Sequence, residues 1–227
     1  MKTAIVTGST GNMGKAIVEK LLSDGYRVIG TIMPGEANPV VHEHFETKAL
    51  NLLDEQEVAV FVNTVIEKYN AIDVAVLTVG GFASGSIGNT ATADIMRQVE
   101  LNFSTSYNIA RPVFLQMIKQ EHGRIFMTGS RPGLHAYYGA GMVAYSLGKS
   151  LLFRLAGLLN EEAKGKDIVA GVIVPSTIDT PQNRKAMPDI DPANWVKPDD
   201  IANIIAYHCS DEAKVLRETV IKIYGNS

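Results

Sequence analysis

Several things are scarce in this sequence, and each scarcity excludes something. Cysteine occurs once in 227 residues, as Cys209, so no intrachain disulfide can form. Cys209 lies in a helix-like segment without a neighbouring thiol, and packing is its expected role. No metal site is expected. Excess charge of either sign is missing: 21 Lys and Arg stand against 24 Asp and Glu, a formal net charge of −3. That leaves no basic footprint for nucleic acid and no charge run suited to a membrane-surface tail. No apolar run approaches the roughly 20 residues of a membrane span. The first strand-like run begins at Lys2, leaving no room for a secretory leader, and a cytoplasmic protein is expected. Repeats, low-complexity tracts and linkers are also absent, so residues 1–227 are expected to form one domain, with a 46% hydrophobic content that allows a sizeable core.

What is present is a rhythm. Short runs rich in Val and Ile recur as TAIVT (3–7), RVIGTI (27–32), DVAVLTV (73–79), GRIFMT (123–128), DIVAGVIV (167–174) and TVIKIY (219–224). Such uninterrupted apolar runs read as parallel strands buried on both faces. A weaker run, HFETKAL (44–50), adds a short strand, for about seven. Between them lie segments of helical spacing at about 13–23, 55–69, 92–119, 143–163 and 198–209. Strand alternating with helix predicts an α/β fold, a doubly wound parallel sheet flanked by helices. One long irregular stretch, PSTIDTPQNRKAMPDIDPANWVKP (175–198), interrupts the rhythm and is too long for an idle connection.

The first strand runs into IVTGSTGNMGKAIVEKLL (5–22), with glycines at 8, 11 and 14. A strand that turns through glycines into a helix aims free backbone N–H groups and the positive end of the helix dipole at one point, which favours a phosphate. Gly8 permits the tight turn, and Gly14 lets helix, strand and a pyrophosphate approach closely. The competing reading is a strand-to-helix turn whose glycines only pack.

A second constellation is AYSLGK, with Tyr145 and Lys149 four apart on one helix face. A phenol titrates near 10 and serves proton transfer at neutral pH only if a nearby cation stabilises its phenolate, a part Lys149 can play. Ser130 follows the strand GRIFMT and so falls at the carboxyl edge of the sheet, where ligands of open α/β folds bind. Alone, Tyr and Lys at this spacing form an ordinary helix surface pair. With Ser130 they are three groups suited to polarising and protonating a carbonyl oxygen.

In order and spacing these motifs resemble the short-chain dehydrogenase/reductase family over essentially the whole chain. TGSTGNMG resembles the family's T-G-x-x-x-G-x-G with the middle glycine moved from Asn12 to Gly11, Asn being tolerant of a left-handed conformation. LTVGG (77–81) stands where the family has N-N-A-G, and VPSTIDTP resembles P-G-x-x-x-T with Ser176 in place of glycine and Thr180 kept. The resemblance implies a single-domain Rossmann-type sheet and hydride transfer between a nicotinamide and a carbonyl, carbinol or imine carbon. It implies catalytic roles for Asn102 (holding a water in a proton relay), Ser130 (holding the substrate oxygen), Tyr145 (acid/base) and Lys149, which lowers the phenol's pKa and bonds the nicotinamide ribose. It places the dinucleotide against Gly8, Thr10, Gly11, Asn12, Met13, Gly14, Asn51, Leu52, Val79, Gly80, Gly81, Tyr145, Lys149, Pro175, Ile178 and Thr180. Residues 182–197 become a flexible substrate lid, with Met187 and Trp195 as apolar contacts; for Trp195 core packing is the equal alternative. Arg184 and Lys185 read as solvated or as contacts to an anionic group.

The cofactor is NAD or NADP. GTIMPGE (30–36) offers neither acid nor base at Ile32 or Met33, Glu36 comes late, and Lys15 reaches the site only by curling back. A local resemblance to dihydropteridine reductases in VGGFASGS and STIDTPQNRKAMPDIDPANW points to a pteridine-like substrate, although those enzymes lack the serine present here as Ser130. Two other classes fit parts of the pattern: a non-catalytic dinucleotide-binding regulator, and a nucleotide-sugar epimerase or dehydratase suggested by the G-x-x-G-x-x-G spacing. A small-molecule substrate is the expected partner. The helices at 92–119 and 143–163 mix small and apolar residues on more than one face, which suggests self-association or else burial against the chain's own sheet, and the resemblance implies a homodimer or homotetramer built on them.

Overall fold

The computed structural model describes residues 1–37 and 40–226. In chain order the elements are β1 (Thr3–Thr7), α1 (Asn12–Ser23), β2 (Arg27–Ile32), β3 (Phe45–Ala49), α2 (Glu55–Tyr69), β4 (Val74–Leu77), α3 (Thr92–Val99), α4 (Thr105–Gln120), β5 (His122–Thr128), α5 (Arg131–Leu134), α6 (Val143–Glu162), β6 (Asp167–Pro175), α7 (Pro181–Ala186), α8 (Pro198–His208) and β7 (Val220–Ile223). The strands form one seven-stranded sheet in the order β3-β2-β1-β4-β5-β6-β7, and every pairing is parallel.

Alternation along each strand divides the core. Ile5, Ala75 and Leu77 face a layer filled by Val58 and Phe61 of α2, Ile109 and Met117 of α4, and Leu152 and Leu155 of α6. Ala4, Val6, Val74 and Val76 face the opposite layer, filled by Ile17 and Leu21 of α1 and Ile201 and Ile205 of α8. Residues one apart in a strand point to opposite faces, so a strand buried on both sides needs an unbroken apolar run. Each fully buried side chain of this size contributes about 1.5–3 kcal/mol. Cys209 closes α8 at 9% exposure within this second layer, and burial pushes its thiol up to about 12. No described helix is long and apolar enough to cross a membrane.

Two boundaries differ from the sequence expectation. The run at 73–79 stops being strand at Leu77, because Thr78 uses its backbone N–H and hydroxyl to bond Thr7 (3.0 and 2.5 Å) and turns the chain away from the ladder. The single helix expected over 92–119 is interrupted by a π-helical turn, Glu100–Ser104. The turn puts Asn102 at the sheet edge, with no exposed surface. The strand order reverses between β1 and β4, and the crevice outside the carboxyl ends of the strands opens at that point.

Candidate functional site

The crevice is a cleft of about 1560 Å³. At its β1 end the chain leaves Thr7 through Gly8, whose φ of +62° is the left-handed conformation that favours glycine. Gly11 donates to the Gly8 carbonyl at 3.0 Å and precedes α1. Gly14 is fixed by contact: a Cβ there would lie 2.1 Å from the Gly8 carbonyl oxygen, so no other residue closes the turn in this form. Asn12 opens α1 with its φ negative. The left-handed tolerance expected of Asn12 is therefore not used, because Gly8 already supplies the one positive φ of the turn. Asn12 instead donates to Gln182 of α7 at 2.9 Å, across the cleft. A strand that turns through glycines into the N-terminus of α1 is an arrangement whose backbone N–H groups and helix dipole suit an anion.

Past the end of β2 the cleft is lined by Glu36, which comes late in the sequence for a strand-end acid. Met33-Pro34-Gly35-Glu36 is a tight turn, Gly35 at φ +90° and the Glu36 N–H donating to the Met33 carbonyl at 3.0 Å. It folds Glu36 back so that its carboxylate accepts from the Thr10 hydroxyl (2.7 Å) and the Met33 N–H (3.2 Å). The signal was the Pro-Gly pair, a turn that returns the next residue to the strand end. Glu36 is the only carboxylate among the described lining residues, and Arg131 and Lys149 are the only cations. Lys15 pairs with Glu19 at 3.8 Å and does not line the cleft.

At the other end, β5 delivers Thr128 and Ser130 and α6 delivers Tyr145 and Lys149. Ser130 is buried, accepts from the Gly133 N–H at 3.1 Å, and hydrogen-bonds the Tyr145 phenol. The expected lowering of the phenol's pKa is not found: burial pushes it up, with the Ser130 hydroxyl opposing. Lys149 is 3% exposed and donates to the Thr128 carbonyl at 2.6 Å, and burial brings its ammonium down to about 8. That bond turns the ammonium toward the β5 backbone, and desolvation dominates at the phenol. Asn102 lies behind the cleft wall. Its Oδ1 accepts from the Gly81 N–H at 3.0 Å, while its amide donates to the Gly81 carbonyl (3.0 Å) and Gln98 (2.8 Å). The side chain expected to hold a water thus spends both amide protons on the protein. Gly80 is where these groups meet: a Cβ there would lie 2.6 Å from Asn102 Oδ1 and 2.8 Å from Lys149 Nζ.

Beyond β6, the Thr180 hydroxyl accepts from the Asn183 N–H at 3.2 Å and starts α7. The two ends of the 182–197 stretch are anchored to the segment after β6. Val196 N–H donates to the Thr177 carbonyl, Asp179 N–H to the Val196 carbonyl (2.9 and 2.8 Å), and Asn183 to the Ile178 carbonyl at 2.8 Å. Met187 lines the cleft, whereas Trp195 is 8% exposed and does not, which decides for packing. Arg184 forms a two-point pair with Asp179 at 2.6 and 2.8 Å, so its charge is answered within its own loop.

Of the residues assigned catalytic or dinucleotide roles from the sequence, Gly8, Thr10, Gly11, Asn12, Met13, Gly14, Asn51, Leu52, Val79, Gly80, Gly81, Ser130, Tyr145, Lys149, Pro175, Ile178 and Thr180 line the cleft and Asn102 does not; Arg184, Lys185 and Trp195 of the following loop also lie outside its lining. Sequence reasoning passed over Phe82, Arg131, Tyr138 and Met142, which also line it. Phe82 carried one signal, a large ring directly after two glycines.

A family model for short chain dehydrogenases matches residues 2–191. The 3-oxoacyl-(acyl-carrier-protein) reductase FabG of Thermotoga maritima is 26% identical, covering 99% of this chain and 96% of that protein. Its counterpart from Escherichia coli is 24% identical over the same shares. Among solved structures, gox2181 matches with a TM-score of 0.86 at 22% identity, covering 98% of this chain and 93% of that one. An oxidoreductase of the short chain dehydrogenase/reductase family from Burkholderia thailandensis matches with a TM-score of 0.81 at 23% identity, covering 99% and 91%. This chain belongs to the short-chain dehydrogenase family of oxidoreductases.

Proposed function

We propose that the protein reduces a small carbonyl or pteridine-like imine carbon and prefers NADH to NADPH. A bound nicotinamide supplies the hydride. The Gly8–Gly14 turn holds the diphosphate, Glu36 the adenosine ribose, Asn51 and Leu52 the adenine, and Val79–Gly81, Pro175, Ile178 and Thr180 the nicotinamide end. The observation that carries the reading is the convergence of Ser130, Tyr145 and Lys149 on one end of a cleft whose other end is a diphosphate cradle. A phenol raised above its ordinary value is protonated at neutral pH, which suits Tyr145 Oη to giving a proton to a developing alkoxide or amide anion. Ser130 holds the substrate oxygen, the Lys149 ammonium replenishes the proton and bonds the ribose, and Asn102 keeps the Gly80–Gly81 loop in place. Retaining all four groups favours turnover over mere cofactor sensing.

The preference for NADH rests on Glu36. A carboxylate accepts from a ribose 2′-hydroxyl and repels a 2′-phosphate, and no cation among the described lining residues stands at that end to offset it. Exposed Leu147, Leu151 and Leu158 along α6, with Tyr107 and Leu115 on α4, support self-association through these helices, which light scattering reads directly.

Titration of reduced-nicotinamide fluorescence tests the proposal. NADH binds at least about tenfold tighter than NADPH, Glu36→Gln narrows the gap, and Tyr145→Phe loses roughly 10³-fold in turnover with NADH affinity unchanged. Tighter NADPH binding overturns the preference, and undiminished turnover by the phenylalanine variant overturns Tyr145's role.

A further inference from the structure

Phe82 is 67% exposed and lines the cleft. A large ring left in water at a cleft contributes little to the fold, and its place among the cleft's lining residues leaves it available to whatever the cleft binds. The ring stands edge-on to the Tyr145 ring, with centroids 5.3 Å apart and planes at 67°. Its backbone is clamped on both sides. Gly81, one residue before, has its N–H and carbonyl both bonded to Asn102 at 3.0 Å. Gly85, three residues after, donates to the Gly141 carbonyl at 2.7 Å and accepts from the Val143 N–H at 3.0 Å, where α6 begins two residues before Tyr145. The Phe82 backbone and the start of α6, which carries Tyr145, are thus held in one frame. The other apolar lining side chains include Met142 and Met187, whose thioether chains adapt to varied shapes and favour aromatic neighbours.

A ring beside a proton donor, on a backbone bonded on both sides and in a cleft also lined by methionines, suits one class of substrate. We propose that Phe82 is a specificity-determining residue that takes the planar, unsaturated group adjoining the reacting carbon, so that conjugated ring carbonyls or imines are selected over saturated ones of equal size. This deepens the carbonyl-reductase reading and rests on it. Ring contacts of this kind are offset-stacked or edge-to-face, geometries that a saturated ring cannot exploit.

The test compares acetophenone with cyclohexyl methyl ketone, which match in size and differ in planarity. Binding of each to the NAD⁺-loaded protein, where no hydride is available, is read by saturation-transfer NMR, and kcat and KM for their reduction are read with NADH. The wild type binds acetophenone about 3- to 10-fold tighter, with the preference expressed in KM. Phe82→Ala and Phe82→Leu bring the ratio toward one, Phe82→Tyr retains it, and NADH affinity is unchanged in all three. Because the side chain is exposed, these variants keep the wild-type melting temperature. A wild type that binds the two ketones equally, or neither, overturns the proposal, as does a ratio unmoved in Phe82→Ala. Selective binding without reduction of either ketone leaves the Phe82 contact standing and removes the carbonyl-reductase reading instead.

Discussion

The two ends of the cleft are built from opposite materials. The glycine-turn end is backbone: Gly8, Gly11 and Gly14, the α1 N-terminus, and a single carboxylate, Glu36, returned by a tight turn. The chemical end is buried side chains: Ser130, Lys149 and, behind the wall, Asn102, at 6%, 3% and 0% exposure. At Gly14 the first end leaves no room for an added atom. The second carries polar groups that cost free energy to bury and are held by specific partners from distant parts of the chain. Steric change should therefore destroy the first end, whereas at the second the protein should lose chemistry and can gain stability.

Three substitutions sharpen this contrast, in decreasing order of expected effect. Gly14→Ala places a Cβ 2.1 Å from the Gly8 carbonyl, so the turn must open. NADH affinity falls at least about 100-fold and stability drops by about 1–3 kcal/mol, read by fluorescence titration and thermal melting. Gly11→Ala, whose Cβ would meet the same oxygen at 3.3 Å, is the milder control. If Gly14→Ala binds NADH like the wild type, the cradle is not where the dinucleotide sits.

Lys149→Met moves the other way in stability. The native ammonium titrates at about 8, below its ordinary 10.5, which corresponds to a burial cost of about 3 kcal/mol at neutral pH. Between about 8 and 10.5 the unfolded chain keeps the proton that the native protein has released, so wild-type stability from this group rises with pH across that window. The methionine variant lacks the penalty. It is more stable by about 2 kcal/mol at pH 7, after losing the bond to the Thr128 carbonyl. Its advantage shrinks as pH climbs toward 10.5, and turnover is lost. Denaturant melts from pH 7 to 10.5 check the sign, and an advantage that grew with pH would refute the assignment.

Asn102→Ala should have the smallest effect. It strips the Gly81 backbone of both its bonds to Asn102, which are part-buried, for about 1 kcal/mol. The Gly80–Phe82 loop loosens, so KM for substrate rises more than kcat falls. A kcat defect with KM unchanged would return Asn102 to a direct part in proton transfer.

Legibility in the sequence follows the same divide. The α2 boundaries, Glu55–Tyr69, were readable because Asp54 supplies an N-cap accepting from two N–H groups and Asn70 a left-handed close, both local signals. The glycine turn was readable for the same reason. The π-helical turn at Glu100–Ser104 was not, since it shifts the register of a helix without breaking its apolar pattern. Nor was the upward direction of the Tyr145 phenol. Four-residue spacing put Lys149 near it, but the ammonium bonds Thr128, a residue from another element. For Trp195 the sequence left packing and substrate contact equal, and for Arg184 it gave no partner, because both depend on how the 177–197 stretch folds onto itself.

By itself the sequence determined the alternation of buried strands and helices, the glycine turn with its steric demands, and the placing of Ser130, Tyr145 and Lys149 at strand ends and on one helix face. These depend on neighbours a few positions apart, where backbone sterics and helix or strand period operate. Only the tertiary structure decided that Glu36 folds back to Thr10, that Asn102 spends its amide on Gly81, that Lys149 is buried below its ordinary pKa, and that Phe82 is clamped beside Tyr145. Each of these depends on desolvation or on a partner from another part of the fold, and neither exists until the sheet has assembled.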